Sequence, residues 1–163
     1  MKLLNTAVIG AGAIHGCHVN ALRQLPNVAL RALADIDSVK GLKLALGYQC
    51  RFYQDYREML LDDAIDVVHI CTPHFEHKSM ILAALAAGKH VFCEKPVDHE
   101  LSKIDLVEEA LKASPKKLKY QVGFNRRYDH NFRVLRQAVL EGKVGDVQFI
   151  RVSSRDPQPP HAG

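Results

Sequence analysis

No apolar run in this chain approaches the roughly 20 residues that a membrane-spanning helix requires. The opening stretch carries a lysine and a few apolar residues, but Asn5, Thr6 and the glycines interrupt it before a signal-peptide core forms. A first strand is expected there instead. The four cysteines, Cys17, Cys50, Cys71 and Cys93, include no Cys-x-x-Cys pair, which argues for buried thiols in a reducing, cytoplasmic setting and against a disulfide framework. Internal repeats and low-complexity tracts are missing too, apart from a proline-rich end over 156–163. The formal charge is only +4, and the Lys- and Arg-rich stretch 112–155 has neither interleaved aromatics nor a nucleic-acid motif. Neither a nucleic-acid nor a membrane partner is expected, and that stretch reads as a solvated basic face near a site for an anionic cofactor.

What is present is the composition of a globular protein, 47% hydrophobic and 25% charged, in 163 residues. That length suits one full α/β domain and not two. Short apolar runs at 6–9, 28–34, 51–53, 66–70, 90–93 and 119–122 read as strands. Between and after them, helices are predicted over 14–25, 38–46, 56–61, 78–87, 100–113 and 130–141, with Ser38 capping the second and Gly88 stopping the fourth. Leu101, Ile104 and Leu111, with Val107 or Glu108, form the apolar stripe of the fifth. The alternation implies an α/β fold, a Rossmann doubly wound parallel sheet with helices on both faces. A further strand over 147–154 has no place in that order, so an exposed edge is expected, with either self-association or a disordered tail after about Glu141, and the chain looks cut after it.

The chemistry gathers at strand ends. Gly10-Ala11-Gly12 follows the first strand and opens a helix, the context in which glycines permit a tight turn and a close backbone approach to a pyrophosphate. The usual third glycine is replaced by His15, with Gly16 one residue later. Asp35, at the end of the second strand, is placed to accept hydrogen bonds from an adenosine ribose and to repel a 2′-phosphate, which favours NAD; Asp37 is the alternative, and either can cap a helix. Thr72-Pro73-His74-Phe75-Glu76-His77 closes the fourth strand. Cys71, His74 and His77 have a metal-like spacing but no fourth ligand, so no metal is expected, and His77 is read as a packing or cofactor-positioning residue. Glu94-Lys95-Pro96 ends the fifth strand, where a lysine can bind a substrate hydroxyl or relay its proton; a surface ion pair between Glu94 and Lys95 is the competing reading.

Taken together, Gly10-Ala11-Gly12 with His18, Asp35, Thr72-Pro73 with His77, Ala87-Gly88-Lys89-His90-Val91 and Glu94-Lys95-Pro96 resemble the glucose-fructose oxidoreductase, inositol dehydrogenase and rhizopine-catabolism (Gfo/Idh/MocA) family. The segments Gly123-Phe124-Asn125-Arg126-Arg127-Tyr128-Asp129 and Ser153-Ser154-Arg155-Asp156-Pro157 look most like its inositol-oxidising members. The resemblance implies hydride transfer between a cyclitol or sugar carbon, myo-inositol foremost, and NAD. It makes Lys95 the catalytic lysine and sets Arg127 and Asn125 on the substrate side. Gly10, Gly12, Ala13, Ile14, Asp35, Cys71, Thr72, Pro73, His77, Glu94 and Lys95 would bind cofactor. It also implies that 1–124 is the NAD-binding domain and that 125–163 is a connecting helix and first strand of an incomplete α+β substrate domain, which carries the oligomer interface of a homo-oligomer and the site's remaining Asp and His. The chain alone is then expected to turn over little or not at all. His15 and His74 depart from the family pattern. A non-catalytic NAD(H)-binding module or remnant is the other reading.

Overall fold

The computed structural model describes residues 2–153 and 155. The chain divides into two compact units, Met1–Phe124 and Asn125–Gly163.

In the first unit, six strands, β1 (Leu4–Ile9), β2 (Val28–Ala34), β3 (Arg51–Tyr53), β4 (Val67–Ile70), β5 (His90–Cys93) and β6 (Tyr120–Val122), form one sheet in the order β3-β2-β1-β4-β5-β6. Every pairing is parallel. Five helices accompany them: α1 (His15–Arg23), α2 (Ser38–Tyr48), α3 (Tyr56–Leu60), α4 (His77–Ala86) and α5 (Leu101–Ala113). Ala7, Val8 and Ile9 of β1 are all buried, because a central parallel strand is covered on both faces. Alternation then splits them: Ala7 and Ile9 join a core with Met59, Ile81, Leu85 and Val107 of α3, α4 and α5, whereas Val8 joins Val19, Leu22 and Ala45 of α1 and α2. The sheet order therefore reverses between β1 and β4, with helices on opposite faces on either side of that point, the arrangement of a Rossmann fold.

Several local expectations are corrected. The second helix is capped by Asp37 and not Ser38: the Asp37 carboxylate accepts from the Lys40 amide at 3.0 Å, while Ser38 already lies inside the helix. Such a cap stabilises a helix by about 1 kcal/mol. Val107, at 1% exposure, takes the buried position in α5 that sequence left open between it and Glu108. Only Cys71 and Cys93 are buried; Cys50 is half-buried and Cys17 is exposed on α1.

The second unit contains a 3-10 turn (Asn125–Arg127) and a helix, α6 (His130–Leu140), whose N-terminus is capped by Asp129 accepting from Asn131 and Phe132 amides. The strand expected over 147–154 does not form in residues 147–153, and Ser154 lies outside the described residues. Among the described residues no neighbouring strand accepts its amides, and an alternating pattern without a partner gives no ladder. No helix among the described residues is long and apolar enough to cross a membrane.

Candidate functional site

The carboxyl ends of β1, β2, β4 and β5 meet where the strand order reverses, the position at which open α/β sheets bind ligands. The ladder continues one residue past these strands: the amides of Gly10, Cys71 and Glu94 donate to the carbonyls of Ala34, Ile9 and Ile70 at 2.8, 2.8 and 3.0 Å. The residues singled out at each strand end are thus held in register.

Gly10 has φ +94°, and a Cβ there would lie 2.8 Å from Thr72 Cγ2 and 2.9 Å from the Cys71 carbonyl carbon. Only glycine gives this turn without displacing β4. A Cβ on Gly12 would meet only Cys71 O, at 3.8 Å, so the outer side of the turn is open, as close approach of a diphosphate requires. Ala13 and Ile14 complete the turn and are exposed.

Asp35 Oδ2 accepts from the Ala11 amide at 2.6 Å and Oδ1 from the Asp37 amide at 2.8 Å. Asp35 thereby locks the glycine turn to the end of β2. Each carboxylate oxygen has about two acceptor sites, so each retains one for a vicinal diol. Asp37, the alternative carboxylate, is committed to the α2 cap.

At β4, Cys71 is buried, and burial foremost, then the nearby Glu94 charge, pushes its thiol far up. The Thr72 hydroxyl donates to Met80 Sδ at 3.3 Å. His77 is only 1% exposed, with Nε2 at 2.9 Å from the Thr72 carbonyl oxygen and Nδ1 at 2.6 Å from that of Pro96. Both ring nitrogens are engaged, so His77 is closed to a metal. Among the described residues no group of three or more His, Cys, Asp or Glu could hold one. His74 instead lies edge-on to His99, with ring centroids 4.3 Å apart.

At β5, the Glu94 carboxylate turns back toward α1: Oε1 lies 2.8 Å from His18 Nε2, and Oε2 accepts from the Lys95 amide at 3.3 Å. The expected alternative, a Glu94–Lys95 ion pair, is not formed; among the described residues no carboxylate pairs with Lys95 Nζ, and Lys95 is exposed at the edge. The Lys95–Pro96 peptide is cis. Beneath lie His69 and Phe92, stacked with centroids 5.2 Å apart, and the His18 ring edge-on to both. Burial, then the charge of His18, brings the pKa of His69 down to about 4.

The structure therefore gathers the Gly10 turn, Asp35, Cys71-Thr72-Pro73 and Glu94-Lys95 along one edge, with His77 buried behind it. Asn125 and Arg127 belong to the 3-10 turn of the second unit and are exposed there. Sequence reading gave no role to His18 or Tyr48, both of which touch residues of the edge; their partners lie 76 and 33 residues away, beyond any local signature.

Residues 4–124 match the family model described as an oxidoreductase family with an NAD-binding Rossmann fold. The chain is 39% identical over 162 residues to an oxidoreductase of Bacillus subtilis and 36% identical over 160 residues to the myo-inositol 2-dehydrogenase of Thermotoga maritima, covering 98% and 96% of this chain and 47% of each relative. Among solved structures it is similar to the myo-inositol 2-dehydrogenase of Lactobacillus plantarum, with TM-score 0.83 and 30% identity over 90% of this chain and 43% of that one. A structure of scyllo-inositol dehydrogenase from Lactobacillus casei with bound NAD(H) and scyllo-inositol matches with TM-score 0.83 and 28% identity, over 89% of this chain and 43% of that one. The chain spans about half the length of the curated relatives it matches. With the family's glycine turn, acidic strand end and Glu-Lys-Pro edge on an NAD-binding Rossmann sheet, the chain belongs to the Gfo/Idh/MocA oxidoreductase family.

Proposed function

We propose that this chain supplies the cofactor half of an NAD-dependent dehydrogenase that oxidises a ring hydroxyl of a cyclitol or sugar, myo-inositol foremost. The observation that carries the reading is one sheet edge bearing an open glycine turn, a doubly anchored Asp35 with acceptor sites to spare, and an exposed Lys95 that makes no ion pair among the described residues. The Gly12 turn and the N-terminus of α1 hold the diphosphate, and Asp35 takes the adenosine ribose. NAD, when bound, supplies the hydride acceptor. Lys95 hydrogen-bonds the substrate hydroxyl and stabilises its oxygen as the proton passes to a general base supplied by the substrate domain, a role typically worth about 10²–10⁴ in rate. The cyclitol assignment draws on the inositol dehydrogenases among the relatives.

Residues 1–124 act as the NAD-binding domain and 125–163 lead into the substrate-binding part, with Asn125 and Arg127 on the substrate side. The exposed apolar residues of the second unit, Phe149, Ile150 and Val152 among them, support self-association into a homo-oligomer, and the cysteine pattern supports a cytoplasmic location. Hydride transfer requires the substrate to be oriented against the cofactor. Turnover by these residues alone is accordingly expected to be low, whereas cofactor binding is expected. Titration calorimetry should show saturable binding of NAD and weaker binding of NADP; absence of both heat and a Tm shift at excess NAD would overturn the reading.

A further inference from the structure

His15 occupies the place of the third glycine in the cofactor turn, and the structure shows what it does there. It is the first residue of α1 and half-buried; its Nδ1 contacts the Gly12 carbonyl oxygen and its Nε2 lies 3.1 Å from the Tyr48 hydroxyl at the end of α2. A carbonyl oxygen only accepts, so Nδ1 carries the proton, and in the neutral ring Nε2 accepts from the Tyr48 O–H. The two rings are tilted at 59° to each other, with centroids 6.1 Å apart.

Gly16, the nearest glycine, does not replace the missing one: a Cβ there would meet nothing within 4 Å. The turn is instead pinned at two successive residues from opposite flanks. Asp35 holds the Ala11 amide from β2, and His15, tied to α2 through Tyr48, holds the Gly12 carbonyl. In a planar trans peptide the carbonyl and the following amide point in opposite directions. With the Gly12 carbonyl drawn to the imidazole, the Ala13 N–H is directed away from the ring.

We propose that His15 and Tyr48 are a positioning pair for the dinucleotide: together they fix the Gly12–Ala13 peptide so that the Ala13 amide is presented to the diphosphate. This rests on the NAD-binding reading above. The small third residue of the usual turn permits close packing, whereas here a hydrogen-bonded bridge to α2 sets the turn.

The test measures affinities for NADH and for ADP-ribose, which has the diphosphate and no nicotinamide, in the unaltered chain and in His15→Gly, His15→Asn and Tyr48→Phe. Loss of one such hydrogen bond corresponds to about threefold to tenfold in affinity. Tyr48→Phe and His15→Gly should each weaken both ligands by that factor and by the same factor for the two. His15→Asn, whose amide still reaches Gly12 but not Tyr48, should match Tyr48→Phe. Combining His15→Gly with Tyr48→Phe should cost no more than His15→Gly alone, because the pair acts as a unit. Tyr48→Phe keeps the ring and its packing, so its Tm should stay unchanged. Tighter or equal binding in His15→Gly would mean that the imidazole merely obstructs the turn, and would overturn the proposal. So would unaltered affinity in Tyr48→Phe, or a loss confined to NADH. If the unaltered chain binds neither ligand, the NAD reading itself fails and this proposal falls with it.

Discussion

His18 on α1 and Glu94 at the end of β5 meet at 2.8 Å, although 76 residues separate them. The contact joins the helix that opens from the glycine turn to the loop that carries Lys95, and Gly123 makes room for it: a Cβ there would lie 3.2 Å from Glu94 Oε1. Removing either partner leaves the other partly buried without its bond, at a cost of about 1–3 kcal/mol. His18→Ala and Glu94→Ala should each lower the unfolding free energy measured in urea by that amount, and the double variant should cost less than their sum. Full additivity would show that the pair is not coupled.

Asp35 has two tasks, anchoring the Ala11 and Asp37 amides and facing the ribose. Asp35→Ser should weaken NAD binding by at least about tenfold, equivalent to about 1.4 kcal/mol, while NADP binding should fall less or rise. Calorimetric titration with both dinucleotides tests this, and an equal loss for the two would refute the ribose role.

Lys95 makes no ion pair among the described residues, so replacing it removes no fold-stabilising contact. Lys95→Ala should leave Tm and NAD affinity within about twofold while lowering inositol-dependent NAD reduction by about 10²–10⁴ in a chain of the relatives' length. A large loss of NAD affinity would show that the residue's main part is holding cofactor and not the substrate hydroxyl.

The element order was legible because the cues are local. The runs at 51–53 and 90–93 are short and bounded by turn residues, and they form strands as read. Asp37 and Ser38 are adjacent and both suit a cap, so only the backbone could separate them. Residues 147–153 alternate only imperfectly, through Val147, Phe149 and Val152, and alternation specifies a face and not the presence of a partner. His18 and Pro96 were visible as parts of the resemblance, but their contacts, like the role of Tyr48, were not legible because they exist only across the fold.

His69 is buried beside His18, and its pKa is brought down to about 4 from the ordinary 6.5. As pH falls from about 6.5 toward about 4, the unfolded chain takes up a proton that the folded chain refuses, so stability declines, by roughly 3 kcal/mol across the window. His69→Phe, which removes the titrating ring, should flatten that part of the profile. Urea midpoints at about pH 7 and about pH 4.5 measure it, and an unchanged slope in the variant would place the effect elsewhere.

The four thiols should react in order of access. Cys17 is exposed, whereas Cys93 is fully buried with its pKa pushed up to about 12 by burial and then by Glu94. Iodoacetamide followed by mass spectrometry should modify Cys17 first and leave Cys71 and Cys93 intact until the chain unfolds. Early labelling of Cys93 would contradict the packing of β5.

His77 holds two loops with one ring. A neutral imidazole has a single N–H to share between two carbonyl oxygens, so a tautomer exchange hands the bond from the Thr72 segment to the Pro96 segment, and only the cationic ring serves both at once. The two arms of the edge thus share one ring, and the lysine-bearing arm is tied from behind the site by a side chain that solvent barely reaches.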